Sequence, residues 1–357
     1  MDERSQTPGA LDPSGESGRD SVHLDPSEQE GTRGLQAVAP LIERRDRRRL
    51  WFFRATLGGL GLGLILLGVG LTIARLAGNA AVAWEHENIE VDPQTGVRLG
   101  AEARTLPAEG ASSAVLMVHG WSSSPNDFGE IPTLLFEAGL HVRQMRLPGH
   151  GMRPEDFRAA TLEDWRAAVR EEFAELSARF DVVHVVGFSM GGALSIELAS
   201  EVPTGRLVVI APFFGLPYPR PLGIRVGTLG GWFEPLLPWI DAGGEVLSLA
   251  CRDHVDQVLK YRAIPLRATV EVDRVGDAVS DLELLERVTA PLLVVAAPDD
   301  PVASAELAFE FLRATSSPYR REVVTPDSSH ILAWDCDCEL VAAEVVDFLT
   351  AEVLGSE

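Results

Sequence analysis

The chain has 357 residues, enough for one large domain with appendages, and 46 % of them are apolar, enough for a sizeable core. Its formal charge is −22, with 31 Lys and Arg against 53 Asp and Glu; an acid excess of this size repels phosphate backbones and argues against a nucleic-acid partner. The three cysteines, Cys251, Cys336 and Cys338, are too few and too unevenly placed for a disulfide framework, and they read as filler positions rather than metal ligands.

Residues 1–43 are rich in Ser, Gly, Pro, Asp and Glu and show no apolar period, which predicts a disordered arm reaching residue 54. Six arginines, from Arg44 to Arg54, close the arm. Ala55 to Ala74 then runs 20 residues without a charge. As a helix it spans roughly 30 Å, the thickness of bilayer hydrocarbon. Its glycines suit close helix contact in lipid. The basic residues precede the run, and Glu85, Glu87 and Glu90 follow it. The positive-inside bias predicts a single-pass membrane protein with a cytoplasmic N-terminus, an extracytoplasmic body and membrane lipid as a partner of the anchor. Ala81-Val82-Ala83 resembles a signal-peptidase site, but the long charged region ahead of it and the length of the apolar run favour an uncleaved anchor.

From residue 84 onward the chain holds 21 basic and 43 acidic groups and alternates strands with helices. Buried strands are predicted at Ala114–Val118, His141–Arg146, Val182–Val186, Leu207–Ile210, Leu292–Ala296 and Glu322–Val324. Thr161-Leu162-Glu163-Asp164 has the form of a capping box opening a helix. Further helices are predicted from Ser189 to Ser200, from Ala303 to Thr315 and from Asp335 to Leu354. This alternation implies an α/β fold, a mainly parallel sheet covered on both faces, over residues 84–357. Residues 213–290 break the pattern. They contain no strand of the buried type, and they carry Pro and Gly clusters and the aromatics Phe214, Tyr218, Trp232, Phe233, Trp239 and Tyr261. This segment reads as an inserted helical cap.

Gly187-Phe188-Ser189-Met190-Gly191 is a G-x-S-x-G motif between a predicted strand and a predicted helix. A turn that tight needs small residues beside the nucleophile, and it exposes the serine oxygen at the sheet edge. Serine is a weak nucleophile and needs a base. In hydrolases of this build the acid and the histidine follow the serine in that order. His330, beyond the Glu322–Val324 strand, is the histidine that fits. Asp299 and Asp300, beyond the Leu292–Ala296 strand, are both candidates for the acid that orients it. The oxyanion needs two N–H donors. The amide of Met190 is one, and the loop His119-Gly120-Trp121 should supply the other. The side chain of His119 reads as structural.

Val118-His119-Gly120-Trp121, Leu147-Pro148-Gly149-His150-Gly151, Gly187 to Gly192, Asp300-Pro301-Val302 and Ser329-His330-Ile331 together resemble the bacterial carboxylesterase and monoacylglycerol lipase branch of the α/β-hydrolases, with a hydrolase domain of the serine aminopeptidase type. The resemblance covers about residues 112–353. It implies the α/β-hydrolase fold, Asp300 as the acid and the amide of Trp121 as the second oxyanion donor. The family usually has Gly three residues before the acid, where this chain has Ala297. The resemblance further implies hydrolysis of small acyl esters through an acyl-enzyme, without metal or organic cofactor, in a pocket shaped by the cap. Trp232 and Trp239, in the densest apolar stretch of the cap, are the expected substrate-binding residues. A peptidase or amidase of the same fold is the first alternative, and a non-catalytic anchored binding protein the second.

Overall fold

The structure, a computed structural model, describes residues 26–215, 226–243 and 249–351. It divides into two units, Met1–Gly68 and Val69–Glu357. Helix α1 (Pro26–Asn88) contributes to both. The predicted disordered arm therefore needs correction. Residues 1–25 lie outside the described residues, but from Pro26 on the backbone is helical. Proline suits a first helical turn, and the Glu, Gln, Leu, Ala and Arg that follow are strong helix formers even without an apolar stripe. The stretch Arg49–Asn88 is long and apolar enough to cross a membrane, and none of its most apolar window is buried by protein.

Within the second unit, seven strands form one sheet. These are β1 (Arg104–Leu106), β2 (Ser113–Val118), β3 (His141–Gln144), β4 (Val182–Phe188), β5 (Leu207–Ile210), β8 (Leu292–Ala296) and β9 (Arg320–Val324), in the order β1-β3-β2-β4-β5-β8-β9. Only the β1–β3 pair is antiparallel. The inner strands β2, β4, β5 and β8 read as largely apolar runs because both faces are covered. The expectation of a buried strand at Glu322–Val324 needs correction: β9 is an edge strand in which only Val323 is buried. Alternate residues divide between two cores. Leu116, Val185, Val209 and Val294 face one side, with Trp165 and Val169 of α4 (Leu162–Ser177) and Ile196 of α5 (Met190–Glu201). Met117, Val186, Val208 and Val295 face the other, with Leu135 of α2 (Ile131–Glu137) and Phe348 of α10 (Cys338–Thr350). The capping box is present: Thr161 Oγ1 accepts from the Asp164 amide, and Asp164 accepts from the Thr161 amide.

The cap differs from its expected all-helical form. It holds α6 (Val226–Phe233), α7 (Leu266–Ala278) and α8 (Leu282–Glu286), but also an antiparallel ladder of β6 (Trp239–Asp241) with β7 (Ala263–Pro265). Residues 263–265 are fully buried, so a buried strand does occur inside the insertion. The end of α1 packs on this ladder. Arg75 donates to the carbonyls of Pro235 and Leu236. Gly78 lies so close that a Cβ there would stand 2.3 Å from the Trp239 carbonyl oxygen. Glu85, 2 % exposed, pairs with Arg98 and accepts from the amides of Arg262 and Ala263.

The cysteines also depart from expectation. Cys251 of the cap and Cys336 form a disulfide across 85 residues of sequence, and Cys338 is free. Beside the bridge, buried Asp335 accepts from the amides of Ala250, Cys251, Ser329 and Cys336 at 2.7–3.0 Å. Cap and His330 loop are thus stitched together. The spacing of the cysteines did not reveal this, because the pairing is made by tertiary structure alone.

Candidate active site

Ser189 sits between β4 and α5 with φ 53° and ψ −118°, a conformation that costs energy for any side chain. The neighbouring glycines are required by contact. A Cβ on Gly187 would stand 2.5 Å from the Gly191 carbonyl oxygen, and one on Gly191 would stand 2.0 Å from that of Val118. Close approach at Gly191 brings the start of α5 against the loop after β2. That loop carries Trp121, and its next residue, Ser122, also has a positive φ of 53°. Neither the Trp121 amide nor the Met190 amide has a hydrogen-bond partner among the described residues.

His330 and Asp300 converge on the serine from separate loops. His330 Nε2 lies 3.0 Å from Ser189 Oγ, and its Nδ1 lies 2.7 Å from Asp300 Oδ2. The other oxygen, Asp300 Oδ1, accepts from the amides of Val302 and Ala303 at 2.7 and 2.9 Å. Asp299 is exposed. Ala297 stands in place of the family glycine without a positive φ, so the turn tolerates its methyl group. The Ser189, His330 and Asp300 side chains, 30 to 141 positions apart, thus form one hydrogen-bonded chain.

The residues around the triad are buried. His119 is fully buried, with Nδ1 2.8 Å from the Gly120 carbonyl oxygen and Nε2 accepting from the Leu147 amide at 3.0 Å. Burial pushes its pKa down to about 4, so it stays uncharged and ties the 119–121 loop to the strand-end Leu147. Asp127, also buried, accepts from the Gly120 amide at 2.9 Å and from Ser123 Oγ. Its charge holds the same loop from the other side.

A cavity of about 140 Å³ opens over the serine. Its walls are Trp121, Phe188, Phe213, Val272, Val302 and Ile331, with Ser122, Ser189, Thr269, Lys260 and His330 supplying the polar groups. Trp232 and Trp239 line no part of it. Trp232 is 68 % exposed, and Trp239 is buried in β6 against α1, its ring 5.8 Å from the Arg158 guanidinium. Density of aromatics along the sequence carried no information about which face they would occupy. The roles of Lys260, Thr269, Val272 and Asp335 were not anticipated; the sequence pattern of the insertion did not show which of its residues face the serine. Cys251, Asp335 and Cys336 come close enough to suggest a metal site, but both sulfurs are spent in the disulfide.

A match to the alpha/beta hydrolase family covers residues 115–344. The chain is 27 % identical over 251 residues to the thermostable monoacylglycerol lipase of Bacillus sp. (strain H-257), across 69 % of this chain and 94 % of the relative. It is 21 % identical over 243 residues to a carboxylesterase of Bacillus subtilis (strain 168), across 68 % of this chain and 94 % of that one. Among solved structures it resembles a metagenome-derived lipolytic enzyme with a TM-score of 0.61 and 25 % identity, over 73 % of this chain and 99 % of the other. The monoacylglycerol lipase of Paleococcus ferrophilus shares the fold at a TM-score of 0.57 and 18 % identity, over 71 % and 99 % of the two chains. With the strand–serine–helix turn and the strand order described above, these matches establish that the chain belongs to the alpha/beta hydrolase family, on its esterase and lipase branch.

Proposed function

We propose that the chain is a serine hydrolase of carboxylic esters, working through an acyl-enzyme on a small acyl substrate beside a membrane. The observation that carries this reading is the hydrogen-bonded series Ser189–His330–Asp300 at the mouth of an apolar cavity. Ser189 Oγ attacks the ester carbonyl while His330 Nε2 takes its proton. Asp300 keeps the proton of Nδ1 in place and stabilises the imidazolium. The amides of Trp121 and Met190 receive the oxyanion, and preorganised backbone donors require no rearrangement as that charge develops. His330 then protonates the leaving alcohol, and water repeats the sequence on the acyl-enzyme. The lipase and esterase relatives support an ester as the substrate. An aminopeptidase pocket for a free amine would need an acidic lining; Lys260 lines this one, and no carboxylate does among the described residues.

The membrane arrangement is part of the same reading. One helix of sufficient length and apolarity, preceded by the arginine cluster, supports a single-pass anchor with the body outside the cytoplasm. The Cys251–Cys336 bridge supports the same side, because disulfides persist in oxidising compartments. Ala81 is fully buried and Arg75 is bonded to the cap carbonyls of Pro235 and Leu236, which favours retention of the helix end over cleavage after Ala83.

The test is labelling with a fluorophosphonate, followed by hydrolysis of a graded p-nitrophenyl ester and monoacylglycerol series. Ser189→Ala should abolish both labelling and turnover, with a loss on the order of 10⁶ in kcat, as in serine hydrolases where single members of the triad have been removed. A variant retaining a few per cent of wild-type activity would refute the mechanism.

A further inference from the structure

We infer that Lys260 is a specificity-determining residue that selects esters carrying a second, anionic group, a carboxylate set apart from the scissile bond. The inference rests on the ester-hydrolase reading and adds a substrate class to it. Among the described residues, Lys260 is the one Lys, Arg, Asp or Glu side chain that lines the cavity over Ser189. Its side chain is half-buried, 16 % exposed. Its nearest carboxylate, Asp127 Oδ1, stands 3.9 Å away, an ion pair too long for a hydrogen bond. Asp127 is already engaged by the Gly120 amide and by Ser123 Oγ. An ammonium has three N–H donors and no acceptor capacity, so it can serve a further anion besides Asp127.

The backbone around Lys260 leaves the residue little freedom to swing away. Arg98 donates to the Lys260 carbonyl at 3.2 Å, and Asn126 donates to that of Gln257. On the other side the Arg262 amide is held by Glu85. The cap segment is therefore fixed on the 120–127 loop, with Lys260 lining the cavity over the serine. Phe188, Phe213, Val272 and Ile331 offer nothing to a carboxylate, and Ser122 and Thr269 offer only hydroxyls, so among the described lining residues Lys260 is the fixed cation such a group would meet. Such an anion would be bound by a charge-assisted hydrogen bond, which is stronger than one between neutral groups.

The experiment compares ethyl butyrate with monoethyl succinate, two ethyl esters that differ in the free carboxylate. The readout is the ratio of their kcat/KM values in the full-length wild type, Lys260→Met and Lys260→Glu. Losing one charge-assisted hydrogen bond should lower the ratio in favour of monoethyl succinate by about ten- to a hundredfold in Lys260→Met. Lys260→Glu should lower it further by repulsion. An unchanged ratio, with both esters slowed alike, would mean that Lys260 only braces Asp127 and would overturn the inference. Binding of succinate itself to the Ser189→Ala protein by calorimetry separates the two readings. Saturable binding lost in Ser189→Ala/Lys260→Met supports the Lys260 site even if no ester is hydrolysed. Equal binding, or none in either protein, overturns it whatever the turnover.

Discussion

Asp300 and Asp299 are adjacent in sequence and opposite in setting. One is bonded to His330 and two amides, and the other is exposed. Asp300→Asn should therefore cost roughly 10⁴ in kcat through loss of tautomer control, with Asp299→Asn near wild type; steady-state kinetics on one ester would check the order. Buried histidines make a second prediction. His119 and His184 have pKa values lowered from 6.5 to about 4, in both cases chiefly by burial. The folded state holds them neutral, while the unfolded chain takes up their protons near 6.5. Their contribution is thus fully present above pH 6.5 and is lost as pH falls toward 4, by about 3 kcal/mol for each group. Thermal unfolding followed across that window should show Tm falling steeply. In His184→Gln, where an amide oxygen can still accept from the Arg206 amide, the slope should flatten by about one proton. Ser189 and His330 were singled out in sequence because each follows a strand and the one needs the other as its base, whereas strand position left Asp299 and Asp300 equal and only the family resemblance pointed to Asp300. Lys260 was not, since a lone charged residue in an irregular stretch looks the same whether it faces solvent or a cavity, and Asp335 was not, since its four amide partners are brought together only by tertiary structure.

Among elements, the long buried strands were legible within a residue or two, because their apolar runs are dictated by cover on both faces. The three-residue strands β1, β6 and β7 were not, since so short a run carries no period. Misreading the cap moved the expected acyl pocket to Trp232 and Trp239, whereas the cap wall over the serine comes from α7 through Thr269 and Val272. Val272→Phe adds bulk inside the cavity and should shift the preferred acyl chain shorter. Trp232→Ala, on an exposed side chain, should leave the chain-length profile unchanged. Hydrolysis of the p-nitrophenyl ester series distinguishes the two positions. A Val272→Phe profile identical to wild type would place the acyl group elsewhere.

For the molecule as a whole, the helix that holds the apolar run also supplies part of the folded body. Arg75, Gly78, Ala81 and Glu85 are all engaged with or buried by residues of the second unit. A chain beginning at Trp84 loses three of these four and should unfold at a lower temperature than one beginning at Val69, as differential scanning calorimetry would measure. The topology prediction is checked with paired reporters fused after Glu357, one active only in the cytoplasm and one only outside it. Signal should come from the outside reporter, and the protein should resist extraction by carbonate. Robust cytoplasmic signal alone would invert the orientation.

The bridge between Cys251 and Cys336 bears on how the chain is made. Three thiols allow three pairings, and one of the wrong ones, Cys336 with Cys338, closes across a single intervening residue. Loop closure is easier over short separations than over 85 residues, so oxidation of the newly emerged chain is biased toward a local or mixed product before the cap has docked. Correct biogenesis then depends on thiol exchange, in which Cys338, free in the finished protein, is the natural resolving thiol. Yield of native enzyme from any host would accordingly track the capacity of the compartment to shuffle disulfides rather than its capacity merely to oxidise them.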